Sequence, residues 1–188
     1  MLKISAFKLI PGAYIPDVSG VSREFRRRRS KLILSLSAED YPAFFTKAVK
    51  LLGDRVFFFV EIPSDDDKMR TYYLDNCTAS VAQAILKRYG ELLYADGVIK
   101  FGFGSHDTDD EIYMQEYQTL TVFSRGSLQK YAGLLEALGY KENDKAILTW
   151  DVIGEGNAGE CVNVDVDGEG YHDMINNLID VGMYPAKD

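Results

Sequence analysis

The sequence has few of the residues that build metal centres and disulfide frameworks. It contains two cysteines and two histidines among 188 residues. Multi-histidine zinc sites and hydrolase triads are hard to build from two histidines. Cys77 and Cys161 lie far apart in sequence, which favours a reducing compartment, although a disulfide between them stays open as an alternative. Neither cysteine has a neighbouring histidine, so a thiol nucleophile has little support.

Long apolar runs are also missing. The longest covers residues 56–60, which is the length of a strand, whereas a helix needs about 20 apolar residues to cross a bilayer. The first residues, Met1-Leu2-Lys3-Ile4-Ser5, lack the apolar segment of a signal peptide. We therefore expect no membrane association and a cytoplasmic location.

Basic residues are outnumbered, and the imbalance is uneven along the chain. The net charge is −8, with 11 Lys/Arg and 5 Asp/Glu in residues 1–60 but 10 and 24 in residues 61–188. An acidic majority repels nucleic acid and anionic membranes and attracts a basic partner. The hydrophobic share of 46% is that of a folded protein and argues against disorder.

Turn signals between periodic apolar stretches predict one α+β domain over residues 1–188. The apolar spacing predicts helices over residues 39–52, 79–89, 128–138 and 171–181. It predicts strands over residues 31–36, 55–62, 71–74, 98–103, 112–117, 120–123, 146–153 and 161–166. We expect a mixed β-sheet with about four helices packed on it, containing βαβ units and hairpins.

Two features of this pattern concern a central strand of the sheet and a possible internal duplication. The strand over residues 55–62 reads Val-Phe-Phe-Phe-Val, which indicates that both its faces are covered. Residues 32–62 and 121–153 each read strand, serine, helix with Leu-Leu, glycine, strand. This is either a duplicated βαβ unit or the general likeness of such units, and we favour the second interpretation.

Two motifs match ligand-binding patterns only in part. Residues 154–159 have the spacing of a dinucleotide fingerprint, but a β-type run follows where the fingerprint needs a helix, and Glu155 and Glu160 would repel a phosphate. Residues 163–168 match the first half of an EF-hand loop, but Met174 stands where the loop needs a glutamate. We therefore expect no cofactor and no bound metal at these motifs.

The densest group of potential metal ligands or acid–base groups follows the strand that ends at Phe103. Its members are His106, Asp107, Asp109, Asp110 and Glu111. A divalent cation site and a general acid–base site both fit this composition, with Phe103 and His106 as a possible site. A solvated acidic loop fits it too, and we prefer that interpretation because loops are commonly polar for solubility alone.

Two charged runs stand out. Residues 26–29 are all arginine, and they would contact phosphates, bind an acidic partner, pair with the protein's own carboxylates or stay solvated. The acidic balance elsewhere disfavours nucleic acid as the partner. Residues 65–67 are all aspartate, and we interpret them as a solvated loop.

Seven short motifs occur in the last two thirds of the chain: Tyr73-Leu74-Asp75-Asn76-Cys77, Tyr89-Gly90, Asp96-Gly97, Phe101-Gly102-Phe103-Gly104, Asp110-Glu111-Ile112, Trp150-Asp151 and Gly182-Met183-Tyr184. Together they resemble a family of uncharacterised bacterial domains, some of whose members lie beside polymorphic-toxin or contact-dependent-inhibition loci. The resemblance covers about the last two thirds of the chain. Its motifs are turn glycines and aromatic strand residues, so it implies no catalytic residues.

Charge and resemblance together predict a non-catalytic acidic binding protein of the toxin-immunity type, with a partner that has a basic surface. We expect partner contacts from six carboxylates, Asp107, Asp109, Asp110, Glu111, Glu155 and Glu160. Two alternatives stay open: a metal-assisted hydrolase that uses His106, Asp109 and Glu111, and a structural or scaffolding domain without chemistry. The sequence makes no prediction of the oligomeric state.

Overall fold

The computed structural model describes residues 6–66 and 68–187. The expectation about a signal peptide falls on residues 1–5, which lie outside this part, as does Asp67 of the acidic run. Within the described part, no helix is both long and apolar enough to cross a membrane.

Eleven strands are found among the described residues. They are β1 (Ala13–Tyr14), β2 (Glu24–Arg28), β3 (Lys31–Ser35), β4 (Val56–Pro63), β5 (Met69–Cys77), β6 (Lys100–Ser105), β7 (Glu111–Met114), β8 (Thr119–Phe123), β9 (Lys141–Glu142), β10 (Glu160–Cys161) and β11 (Tyr184–Pro185). β1 pairs with β10, and the other nine form one sheet in the order β11-β5-β4-β6-β7-β8-β3-β2-β9. In this sheet only β2 and β9 pair in parallel, as far as the described residues show.

Five α-helices accompany the sheet in the same part of the chain. They are α1 (Tyr41–Ala48), α2 (Ala79–Ala95), α3 (Leu128–Ala137), α4 (Thr149–Val152) and α5 (Tyr171–Ile179). Short 3-10 turns at Ala38–Asp40 and Val49–Leu52 flank α1 and complete the helical stretch predicted over residues 39–52. The predicted α+β class, with helices on a mixed sheet, is confirmed.

Crossovers and hairpins alternate along the chain. α1 joins β3 to β4, α2 joins β5 to β6, and α3 joins β8 to β9, and in each case the two strands run in the same direction. The α1 crossover passes three intervening strands of the sheet and the α3 crossover passes two. The two similar segments are therefore not the same structural unit, which favours a general likeness over a duplication.

The core lies between one face of the sheet and the helices. α1 buries Tyr41, Phe44 and Phe45, because helical spacing puts them on one side. The ring of Phe45 lies 4.9 Å from that of Phe101 on β6. α1 contacts both α2 and α3, α2 contacts β4 and β5, and α3 contacts β3 and β8, so the three helices share this face.

Several predicted elements were wrong in type or length, and three of them have a clear physical reason. The strand predicted over residues 146–153 is a loop followed by α4, where the Asp151 carboxylate accepts the N–H of Leu148 and starts a helical turn. Of the strand predicted over residues 161–166, only Cys161 lies in a strand, β10, and Val166 makes an isolated bridge to Glu169. α2 does not stop at Gly90, because Leu92 and Leu93 extend its buried side and Gly90 packs under the ring of Tyr94.

Candidate functional site

The central strands present different side chains to the two faces of the sheet. On β4, Phe58, Val60 and Ile62 belong to the core on the helix side, so Phe57, Phe59 and Glu61 point the other way. Strand pairing puts three further positions in one row across that face, in the order Tyr73, Phe59, Gly102, Tyr113. We call this side of β11, β5, β4, β6 and β7 the open face, defined by Phe57, Phe59, Glu61, Tyr73, Glu111, Tyr113 and Tyr184.

Aromatic rings cover the middle of the open face. Phe59 lies 5.4 Å from Tyr113 and 6.1 Å from Tyr73, measured between ring centroids, and it is only 5% exposed. The rings of Phe59 and Phe57 lie over Gly102 and Gly104, where an added Cβ would come within 2.3 and 2.1 Å of them. Both faces of β4 are covered, as its sequence predicts, but in the described chain the three crossover helices cover only one of them.

Two carboxylates flank these rings. Tyr113 donates a hydrogen bond to Glu61 at 3.0 Å. Burial and the negative charge of Glu61 raise the pKa of Glu111 above the ordinary glutamate value. Burial, with the charges of Glu111, Glu61 and Asp75, raises the pKa of the Tyr73 phenol as well. The open face thus carries Glu61 and Glu111 beside its aromatic rings, and Lys100, the strand partner of Glu61, lies on the same face and binds Glu116 at 2.8 Å.

A histidine and an aspartate meet at the β5 side of the open face. His106 Nε2 lies 3.5 Å from Asp75 Oδ1, and the imidazole packs against the ring of Phe57 at 5.0 Å. Tyr184, 43% exposed on β11, donates its hydroxyl to the same carboxylate. This group has an acid–base pair but, within the described residues, no hydroxyl or thiol nucleophile hydrogen-bonded to the imidazole.

The four acidic residues predicted as contacts in the β6–β7 hairpin have different surroundings. Arg55 binds the Asp107 carboxylate at 2.6 Å and lowers its pKa. Asp109 is exposed, and Glu111 lies on the open face. Asp110 is 2% exposed and accepts hydrogen bonds from Tyr131 at 2.9 Å and from Lys130 at 2.7 Å. Asp110 therefore does not reach a partner, and we remove it from the predicted contacts.

The two remaining predicted contacts lie elsewhere. Glu160 lies in β10, next to Gly159, which packs on the ring of Tyr117. Tyr117 follows β7, so Glu160 lies at the opposite end of β6 and β7 from the 106–110 loop. Glu155 is exposed in a turn closed by hydrogen bonds between Gly154 and Asn157. The structure thus does not bring the six carboxylates into one surface.

The positions of the remaining candidates argue against a site at Phe103, a metal site and a cysteine nucleophile. Phe103 is fully buried on the helix side, 5.0 Å from Phe58, and is a core residue. No group of three His, Cys, Asp or Glu side chains in residues 6–66 and 68–187 is arranged to hold a metal ion. Burial raises the pKa of both cysteine thiols, which disfavours the thiolate that a nucleophile needs.

Three of the four arginines of the run lie on β2, and Arg29 lies in the turn between β2 and β3. Arg26 pairs with Asp151, Arg27 with Glu142 and Arg28 with Asp144. Pairing with the protein's own carboxylates, one of the four alternatives, thus applies to three of the four arginines.

Scans against protein-family models, curated proteins and solved structures found no match for the chain. The resemblance to bacterial domains near toxin loci therefore stays a prediction. Sequence reasoning missed Glu61, Asp75 and Tyr73 as candidates. The signal for them was alternation, since residues at every second position of a strand, such as 57, 59 and 61 on β4 or 71, 73 and 75 on β5, lie on the same face.

Proposed function

We propose that the protein is a non-catalytic acidic binding protein of the toxin-immunity type, and that a basic protein partner docks on its open face. One observation carries this proposal: partly exposed aromatic rings and the carboxylates of Glu61 and Glu111 share one face of the sheet, away from the three crossover helices. Exposed aromatic groups provide apolar area for a partner to bury. Tyrosines are enriched at such interfaces, and carboxylates select a cationic partner.

Because the pKa of Glu111 is raised, the proposal predicts that the affinity for the partner depends on pH. Glu61 and Glu111 repel each other when both are ionised. A lysine or arginine of the partner placed near both would relieve that repulsion and lower the pKa of Glu111. Because such a partner prefers the ionised carboxylate, its affinity should rise as pH increases through the titration of Glu111.

The test is affinity capture of a partner from native cytoplasm, followed by measurement of its dissociation constant with four proteins. These are the wild type, Tyr73→Ala, the double variant Glu61→Gln/Glu111→Gln, and the control Glu136→Gln. Glu136 is an exposed glutamate of α3, on the other side of the sheet. Thermal melts establish that each variant is folded.

We expect a basic partner whose affinity falls about tenfold with Tyr73→Ala and with the double variant, while Glu136→Gln leaves it unchanged. Raising the salt concentration should weaken the wild type more than the double variant, because salt screens the carboxylates. Equal affinity for all four proteins would refute the open face as the site. Capture of no protein, or only of acidic ones, would count against the function itself.

The alternative of a metal-assisted hydrolase was predicted for His106, Asp109 and Glu111, but the described residues form no cluster of three metal ligands, and His106 pairs with Asp75 instead. Elemental analysis of the purified protein and thermal shifts with Mg²⁺, Mn²⁺ and Zn²⁺ test it. A bound metal, or a shift that His106→Ala abolishes, would favour this alternative over the binding function. A scaffolding role without chemistry predicts neither metal nor a charge-selected partner.

A further inference from the structure

Two loops meet at the end of the sheet where β2 turns into β3. The amide of Ser124, after β8, donates a hydrogen bond to the carbonyl of Ser30 at 2.9 Å. This bond brings together the residues next to it, Arg29 on one loop and Arg125 on the other. Both line a groove of about 750 Å³ with two more arginines. We call it the arginine groove, defined by Arg27, Arg28, Arg29 and Arg125.

The positive charge of the arginine groove is only partly balanced. Arg27 binds Glu142 at 2.9 Å, and Arg28 binds Asp144 at 3.1 Å. Arg29 and Arg125 are exposed and make no ion pair or side-chain hydrogen bond with any residue in the described part of the chain. The chain has 29 acidic residues, yet none in the described part forms an ion pair with Arg29 or Arg125. The two like charges therefore repel each other.

The same groove ends at the beginning of α3. Ser127, the residue before the helix, makes no capping hydrogen bond with its side chain. In the first turn, the amide of Lys130 donates to the carbonyl of Ser127 at 3.3 Å. The start of a helix carries partial positive charge, which adds to the charge of the arginines.

A hydrogen bond of the Ser124 side chain closes the loop that carries Arg125. The hydroxyl oxygen of Ser124 accepts the amide hydrogen of Ser127 at 3.0 Å. The loop is therefore fixed before any ligand arrives, which lowers the entropy cost of binding.

We propose that the arginine groove binds a phosphate group carried by a small molecule. Guanidinium groups donate pairs of hydrogen bonds that match phosphate oxygens, and four of them line this one groove. A nucleic acid strand fits less well, because Glu142 and Asp144 lie beside the arginines and would repel an extended polyanion. This inference concerns another surface than the open face and does not depend on the proposed function.

The experiment is calorimetric titration with orthophosphate, pyrophosphate and phenyl phosphate in a chloride buffer at constant ionic strength. The proteins are the wild type, Arg29→Gln, Arg125→Gln and the control Arg70→Gln. Arg70 is an exposed arginine of β5, so its substitution changes the net charge equally at a distance from the groove. Thermal melts show that each variant is folded.

We expect one phosphate compound to bind in a one-to-one ratio, with an affinity that falls at least about fivefold in each groove variant and stays unchanged in Arg70→Gln. Preference for phenyl phosphate would identify an organic phosphate ester, and preference for pyrophosphate an inorganic ligand. Absence of binding by all three compounds, or equal weakening in Arg70→Gln, would overturn the proposal. Tighter binding of a short oligonucleotide than of every small phosphate would also overturn it, in favour of nucleic acid.

Discussion

Asp109 and Asp110 are neighbouring aspartates with opposite surroundings. Asp109 is exposed at the tip of a hairpin, with φ 56°. Asp110 is buried against Lys130 and Tyr131 of α3. Burial alone would raise the pKa of the Asp110 carboxyl, but hydrogen bonds from Lys130, Ser124 and Tyr131 outweigh it and lower the pKa. Asp110 thereby joins the β6–β7 hairpin to the start of α3.

Replacing Asp110 should therefore destabilise the protein. Asp110→Asn leaves Lys130 without its carboxylate, and we expect the free energy of unfolding at pH 7 to fall by about 2 kcal/mol. Asp109→Asn is the matched control, since asparagine tolerates positive φ and exposed substitutions change stability by less than about 0.5 kcal/mol. Urea denaturation of the three proteins measures both values. Equal stabilities for both variants would contradict this role of Asp110.

The effect of Asp110→Asn should also depend on pH. A carboxyl whose pKa is lowered by folding stabilises the protein above its unfolded pKa, near 3.8, and the contribution disappears as pH falls through the folded value. The difference between wild type and variant should therefore be full at pH 7 and shrink below a pH of about 3.8. A difference that is constant from pH 7 to pH 3 would show that the charge of Asp110 is not its cause.

On the open face, large rings of β4 pack over glycines of β6. Phe57 and Phe59 on β4 project sideways over Gly104 and Gly102 on β6. Large rings above glycines cover strand positions that would otherwise expose backbone. The alternation of Phe and Gly in 101–104 therefore reflects packing, with Phe101 and Phe103 in the core and the glycines beneath rings.

Adding a side chain at Gly104 should destabilise the protein only while the ring of Phe57 is present. An alanine Cβ at position 104 would meet only atoms of the Phe57 ring among its three nearest neighbours, at 2.1 to 2.8 Å. We expect Gly104→Ala to destabilise the wild type by about 1–3 kcal/mol, and to be neutral or stabilising in a Phe57→Ala background. Denaturation of the single and double variants measures the coupling.

The control for this cycle is Gly133→Ala in α3. Gly133 is exposed, and nothing lies within 4 Å of its added Cβ. Because alanine is a better helix former than glycine, this substitution should stabilise the protein by about 0.5–1 kcal/mol. Additive effects of Gly104→Ala and Phe57→Ala would contradict the steric explanation.

At the scale of the whole molecule, one core cluster joins the sheet with α1, α2, α3 and α5. α4 lies apart from this cluster, on the other side of β3, where Thr149 binds Ser35 at 3.0 Å. Trp150 on α4 is the single tryptophan of the chain, 49% exposed and 4.9 Å from the ring of Tyr117. Tryptophan fluorescence therefore reports on a region distant from the main core.

This arrangement permits a test of the predicted single domain. We expect Trp150 fluorescence and far-ultraviolet circular dichroism, which reports on the helices, to follow one denaturation curve. The shared core couples all the crossover helices to the sheet, and α4 is bound to that sheet through buried Thr149. A fluorescence transition at lower denaturant than the dichroism transition would mean that the α4 region unfolds separately.

The sequence by itself determined the α+β class, the four longer helices and most strands of the large sheet, because apolar periodicity records which side of an element is buried. It did not determine short elements such as β1, β9 and β11, since two-residue strands have too few positions to show a period. Tertiary structure alone decided that Asp110 is buried while Glu111 lies on the open face, and that Arg29 and Arg125 line one groove. Each of these outcomes depends on a partner distant in sequence, and local patterns contain no information about such partners.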